Sequence, residues 1–315
     1  METKKEKWTL TPYDDAIAWF IVVAAAIAIS VTILTEEKEK DSSAPSALIF
    51  SKEPGEVFQD TLINGRLGPK MVVIPSRQNS TDTEGFTIEF AIGMYEVTVD
   101  EFRQFAEMTS HTRGGHRGSA RKNMGCWNLL TNKYDSSLSW KKPGFPQTGK
   151  HPVTCISWFD AVKYAEWLTK KTGRRYSLPS EAEWVHAAQA NTDTQYWWGN
   201  DVGKNQAVCD GCGSQFDNKR PAPIGSFQSN PYGLYDVSGN VLEWCADDWD
   251  VNSSGASIKH ESEINKNTKF SKVQRGGAWN NVPAEIRIAN RINGGLPRVN
   301  NTGFRVVMRF MKPSK

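Results

Sequence analysis

The sequence lacks a strong charge of either sign. Its 38 Lys and Arg stand against 35 Asp and Glu, for a formal net charge of +3. That balance is too weak to argue for nucleic acid as a partner. No G-x-S-x-G turn is present, so no nucleophile signature supports a hydrolase of that type. No internal repeat occurs, which sets aside solenoids and propellers. Histidine is scarce, with five copies. His111 and His116 lie five apart in a Gly-rich stretch, and His151 and His186 have no neighbouring His, so each reads as an ordinary structural or surface histidine. Cysteine is scarce too, and none follows Cys245. The C-x-x-C of Cys209 and Cys212 has no further Cys or His nearby at zinc-ligand spacing, so it reads as a local disulfide. Cys126 and Cys155 flank a long loop and are the other candidate pair, which leaves Cys245 over.

Long apolar runs are also missing, with one exception. Residues 16–34 (AIAWFIVVAAAIAISVTIL) carry no charge and are nearly long enough to cross roughly 30 Å of hydrocarbon as a helix. Lys4, Lys5 and Lys7 precede the run and EEKEKD follows it. The slight Lys excess orients the short N-terminus (1–15) inside and the rest outside. No small-x-small cleavage site follows directly, which favours an uncleaved anchor over a signal peptide. The expectation is a single pass through the inner (plasma) membrane, with the C-terminal part periplasmic or extracellular, where disulfides persist.

What is present in quantity is Trp, with twelve copies, alongside Gly, Asn and Ser. Residues 35–70 are polar and read as a linker. From Met71 the pattern is that of a folded domain, ending near residue 311 before a short tail (312–315). KMVVIPS and GFTIEFAIGMYEVT read as strands. TVDEFRQFAEMTS reads as a helix with a Thr cap and Phe102, Phe105 and Met108 at helical spacing. Residues 111–149 read as a long ordered loop, and Arg113 to Arg121 (RGGHRGSAR) as a basic, solvated part of it. SWFDAVKYAEWLTKKTG reads as a helix capped by Ser157 and ended by Gly173, burying Ala161, Tyr164, Ala165 and Leu168. In SLPSEAEW the Ser180-x-x-Glu183 spacing is a capping box. Beyond Ala190 only brief strands are expected, at APIGSF, NVLEWCADDW, KVQRGGAW and TGFRVVMRF. The architecture is α+β with much irregular backbone, whose polar groups need side chains, water or ions as partners.

Six stretches occur in order: GMYEVTVDEFRQF (93–105), HPVTCISWFDAVKYAEWL (151–168), RYSLPSEAEW (175–184), NPYGLYDVSGNVLEWCAD (230–247), RGGAW (275–279) and NTGFRVV (301–307). Over residues 70 to 311 the chain resembles the formylglycine-generating enzymes and their sulfatase-modifying-factor relatives. The resemblance implies a variant of the C-type lectin fold. It does not imply one activity: the family includes copper-dependent oxidases, iron-dependent sulfoxide synthases, a pyoverdine-tailoring enzyme, kinase-linked and gliding-motility proteins, and ligand-display proteins. Formylglycine generation needs a thiol pair shortly after the Gly-Gly motif. Here Asn281 occupies the first thiol position, and an amide cannot replace a thiolate on Cu(I). The three-His iron domain of the sulfoxide synthases has no counterpart. Neither copper nor iron is therefore expected.

By the same resemblance, Asp236 and Glu243 with the carbonyls of Gly239 and Val241 form a structural calcium site. A second family calcium site has Val208 where an Asn is needed and is not carried over. The stretch RGGAWNNVPAEIRIANR (275–291) would line a surface groove in which Trp279, Asn280, Asn281, Arg287 and Arg291 face a ligand. Arg305, in the Gly-Phe-Arg motif, reads as a buried ion-pair residue. Two functional classes follow. One is a membrane-anchored, non-catalytic binding or regulatory protein with a protein or peptide ligand and no nucleic-acid partner. The other is a tailoring enzyme acting on a peptide or siderophore, with Glu285 as the general base.

Overall fold

Three α-helices carry the same starting device in the computed structural model, which describes residues 52–62, 65–75, 90–111, 125–250, 271–295 and 297–310. In α1 (Val99–Thr109), α2 (Trp158–Thr172) and α3 (Glu181–Gln189), a hydroxyl accepts the third helical amide and the carboxylate there bonds back to the cap. The pairs are Thr98 with Glu101, Ser157 with Asp160, and Ser180 with Glu183. Each box satisfies two amides that helix geometry leaves without partners. Gly173 ends α2 in the left-handed region, as its sequence foretells. Met108 departs from the expected apolar stripe: it is 40% exposed, and α1 buries Val99, Phe102, Phe105 and Ala106 instead.

The anchor expected at 16–34, the linker up to residue 51, the basic stretch 113–121 with His116, and the tail lie outside the described residues. Among the described residues no helix is long and apolar enough to cross a membrane. The folded body starts earlier than Met71. β1 (Val57–Thr61) pairs antiparallel with β2 (Leu67–Ile74), so part of the expected linker is sheet. Val57 and Gln59 lack the apolar run that would have marked a strand.

β2 continues to β3 (Phe90–Gly93). Together with β6 (Tyr176–Ser177) and β11 (Val307–Arg309) these strands form a five-stranded antiparallel sheet in the order β1-β2-β3-β11-β6. A four-stranded sheet has the order β10-β7-β8-β9, from β7 (Leu242–Asp248), β8 (Lys272–Arg275), β9 (Ile292–Gly294) and β10 (Thr302–Gly303). The 111–149 region is not all loop: β4 (Cys126–Asn128) and β5 (Lys133–Asp135) make a small hairpin. The expected strand at APIGSF is absent: residues 222–227 are coil and turn, where Asn240 Oδ1 and Asp236 Oδ2 accept from the Ala222 and Gly225 amides.

α3 packs on β7 and β8. Its Trp184, Ala187 and Ala188 join Val72, Ile92 and Val307 of one sheet to Val273 of the other in one core. A second, aromatic centre gathers around Phe102, which meets Tyr164, Phe105, Trp140 and Phe304 at centroid distances of 5.2–6.5 Å. From Ala190 to Val241 the chain has no named helix or strand. That irregular stretch and the turn after β8 carry the candidate site.

Candidate functional site

The turn after β8 is tied at both ends to one carboxylate. Arg275 pairs with Glu181, and Arg291 grips the same Glu181 with Nε at 2.6 Å and Nη2 at 2.9 Å. Glu181 is the first residue of α3 and is buried. Arg275 Nη1 also donates to the carbonyls of Ile288, Ala289 and Asn290. Arg291 lies over the Trp249 ring, 4.8 Å from its centroid. Both arginines are therefore struts that shape the loop, and the expectation that Arg291 faces a ligand is corrected.

Between the struts the backbone turns sharply at Gly276 (φ 90°) and Gly277 (φ 72°). A Cβ on Gly277 would lie 2.6 Å from Ile286, so no other residue fits. The 3-10 turn Pro283–Ile286 follows. Trp279 points inward and is fully buried among Val208, Ala222, Leu242 and Ala278, with Phe145 edge-on at 6.1 Å. Its backbone is pinned as well: its N–H donates to Asn240 and its carbonyl accepts from Asn218. Trp279 is a core residue, and its expected role as an aromatic ligand face is corrected by that burial.

Asn281 spends its amide locally. Its Oδ1 accepts from the Ala278 N–H at 2.9 Å, and its Nδ2 donates to Glu285 Oε2 at 2.8 Å. Val282 N–H also donates to that oxygen. Asn281 thus holds the turn closed, in the manner of a helix cap. Glu285 is exposed, and its Oε1 has no partner among the described residues. Asn280 Oδ1 accepts from Asn301 Nδ2 at 3.0 Å, which aims the Asn280 amide NH2 away from its partner. Arg287 is exposed, and its guanidinium has no partner among the described residues. Of the expected ligand residues, then, Asn280 and Arg287 keep donors to offer.

The C-x-x-C turn lies directly beside this loop. Cys209 and Cys212 form a disulfide, as do Cys126 and Cys155, and Cys245 is a buried free thiol. Asp210 N–H donates to Asn281 O at 2.7 Å, and Tyr196 OH donates to Pro283 O at 2.8 Å. Neither Asp210 nor Tyr196 had a motif to mark it, because both contacts use backbone atoms brought together by the fold.

The residues expected to bind calcium sit in a buried carboxylate cluster. Glu243 is fully buried and gives both oxygens to Arg305, at 2.6 Å from Nε and 2.7 Å from Nη2. Trp184 Nε1 donates to the same carboxylate at 2.8 Å. Arg305 is the buried ion-pair residue that its motif suggested. Asp236 has a left-handed backbone (φ 59°), and its Oδ2 accepts from the Gly225 N–H. Its Oδ1 is buried without a partner among the described residues, as are Glu96 Oε2 and Ser238 Oγ. Burial, with the charge of Glu243 adding to it, pushes the Asp236 carboxyl up to about 6. Burial and the nearby Asp236 hold Glu96 well above the usual carboxylate range. Gly239 (φ 85°) closes the turn, where a Cβ would meet Val208 O at 2.2 Å. The fit to a cation is partial. Asp236 Oδ1 is the kind of oxygen that a hard cation completes, whereas Glu243 is held by a guanidinium, so its expected place as a ligand is corrected. Among the described residues no group of three or more His, Cys, Asp or Glu is arranged to hold a metal.

The described histidines do not converge. His111 Nε2 meets Asp160 Oδ1 at 2.9 Å, and Arg298 grips the other oxygen of Asp160. His186 Nε2 contacts Pro75 O. His151 is buried, its Nδ1 accepts from the Thr148 N–H, and burial with the nearby Arg220 pulls its pKa down.

Residues 62–310 match the family model described as "Sulfatase-modifying factor enzyme 1-like domain". The chain is 32% identical over 291 residues to the formylglycine-generating enzyme of Bos taurus, covering 75% of this chain and 73% of that protein. It is 30% identical over 233 residues to the "Serine/threonine-protein kinase pkn1" of Chlamydia caviae, covering 70% of this chain but 33% of that one. The chain therefore spans about a third of the length of the kinase-named relative. Among solved structures, PvdO from Pseudomonas aeruginosa is similar with a TM-score of 0.60 and 28% identity, over 82% of this chain and 99% of that chain. The Treponema denticola variable protein 1, at 18% identity and a TM-score of 0.53, shares the fold.

Proposed function

The chain belongs to the family with the sulfatase-modifying factor enzyme 1-like domain, and on that premise we propose that it is a membrane-anchored binding or regulatory protein that does not generate formylglycine. The observation that carries this reading is the state of Asn281. By the sequence resemblance it stands where the oxidases of the family need their first thiol; no cysteine follows Cys245, and its amide is used to brace the turn against Ala278 and Glu285. A braced turn with exposed Val282, Ala284 and Arg287 on its outer side suits recognition of a protein or peptide. Asn280 and Arg287 are the donors that contact it. Residues 16–34 supply the anchor in the inner membrane, with the domain on the periplasmic or extracellular side. The two disulfides support that side.

Calcium would be structural in this reading. Asp236 Oδ1 and the carbonyls of Gly239 and Val241 would hold the ion, and Glu243 would add charge through its pair with Arg305. What supports it is the imbalance of three buried carboxylates, Glu96, Asp236 and Glu243, around one Arg305.

The test is recovery of partners from detergent-solubilised membranes with wild-type protein and with the Asn280→Ala/Arg287→Ala double variant. Loss of a specific partner from the variant supports the binding reading, and an identical partner set argues against it. A tailoring enzyme acting on a peptide or siderophore is the second reading, favoured by the open Oε1 of Glu285. Its solvent-facing position weakens it as a general base. Turnover of a candidate substrate that is lost in Glu285→Gln would move the assignment to this class.

A further inference from the structure

The Cys209–Cys212 bond closes a separation of three residues, whereas Cys126–Cys155 closes one of 29. A short closure restricts the unfolded chain little, so the short bond contributes less to global stability than the long one. Its neighbours point to a local role. Cys209 and Cys212 form their own buried cluster with Tyr196, Ala207 and Ile286. Ile286 ends the 3-10 turn of the candidate site. Asp210, inside the C-x-x-C, donates to Asn281 O at 2.7 Å, and Cys212 O accepts from the Asn205 N–H at 2.7 Å. A Cβ on Gly211 would come within 3.8 Å of the Pro283 ring. The short disulfide is thus packed behind the turn that carries Asn280, Asn281 and Glu285, in a region with no helix or strand to hold it otherwise.

We propose that the Cys209–Cys212 disulfide is a redox-sensitive clamp on the 278–287 turn: oxidised, it holds the turn in its binding shape, and reduced, it releases it. This deepens the binding reading above and rests on it for the ligand consequence alone. The chemistry is thiol–disulfide exchange with a protein or small-molecule dithiol. One thiolate of the dithiol attacks a sulfur of the pair and forms a mixed disulfide. The second thiolate then displaces it, leaving Cys209 and Cys212 as thiols and the reductant as its own disulfide, with two electrons passed. Both sulfurs are buried, so exchange waits on local opening. A segment built from turns opens at lower cost than the sheets and helices around it.

The experiment is hydrogen exchange by mass spectrometry on the full chain in detergent. It compares oxidised protein, protein treated with dithiothreitol, and the Cys209→Ser/Cys212→Ser variant, with partner capture on the same samples. Alkylation of the treated sample identifies which cysteines are reduced. The expected result is exchange at 205–212 and 278–287 accelerated by about tenfold or more beyond any change shared with α1, α2 and α3. Unchanged exchange at 278–287 with Cys209 and Cys212 reduced would overturn the clamp. So would equal acceleration in the helices, which would make the bond a global staple. A partner that still binds while 278–287 exchanges fast would leave the clamp standing and remove the turn as the binding site.

Discussion

Two loops of this molecule use the same residue types for opposite ends. The 236–243 loop and the 276–287 turn both rest on left-handed glycines, both contain Asn and Glu, and they touch directly through the Gly239 N–H and Gly276 O. In the first loop Glu243 is locked onto Arg305 and Trp184 in full burial. In the second, Glu285 is exposed and its one engaged oxygen serves its own turn. Burial separates them. An ionised group out of water must be paired, and its removal leaves the partner stranded. The same group at the surface is nearly free to change and free to meet another molecule. The first loop is thus structural, and the second keeps exposed side chains for the recognition proposed above.

The largest expected effect comes from breaking the buried knot. Arg305→Met strands Glu243 and should cost about 3–5 kcal/mol in urea unfolding. That is a large share of ordinary domain stability. Next, Cys126→Ser/Cys155→Ser should cost about 3.6 kcal/mol from loop closure alone, against about 2 kcal/mol for Cys209→Ser/Cys212→Ser in the same assay.

Asp236, in the first loop, makes stability depend on pH. Its folded-state pKa of about 6 lies above the ordinary 3.8. Without a bound cation, the native state therefore holds the proton more tightly, and stability falls as pH rises from about 4 to about 6. Asp236→Asn should then stabilise the metal-free protein at pH 7, by on the order of 2–3 kcal/mol. With calcium bound the sign reverses, because the variant loses a ligand oxygen charge. Melting of both proteins with calcium and with chelator separates the two cases. Smallest of all, Asn280→Ala/Arg287→Ala should cost about 1 kcal/mol, because it leaves the buried Asn301 amide without its partner, while removing the binding partner.

The helices were legible because their signals are local. Thr98, Ser157 and Ser180 each precede an acid at the third helical position, and every such box formed. The two disulfides and the Arg305 ion pair were legible as well. β1 was not, because Val57 and Gln59 face outward and its pairing depends on β2, which sequence spacing does not announce. The candidate site was half legible. The Gly-Gly kink marks the turn, but direction does not follow from residue type. Trp279 turns inward to fill a core, Arg291 is taken by Glu181, and Asn281 is taken by its own loop. Those partners lie far away in sequence or in the backbone, where no motif records them.

The proposed function is that of a scaffold with the family fold and without oxidase chemistry. It is tested most directly by incubating the full chain, with copper and a reductant supplied, with a cysteine-bearing sulfatase-type peptide and measuring aldehyde on that peptide by mass spectrometry. No aldehyde above a copper-only control is expected. Aldehyde formed in proportion to the protein would contradict the reading of Asn281 and return the turn to catalysis.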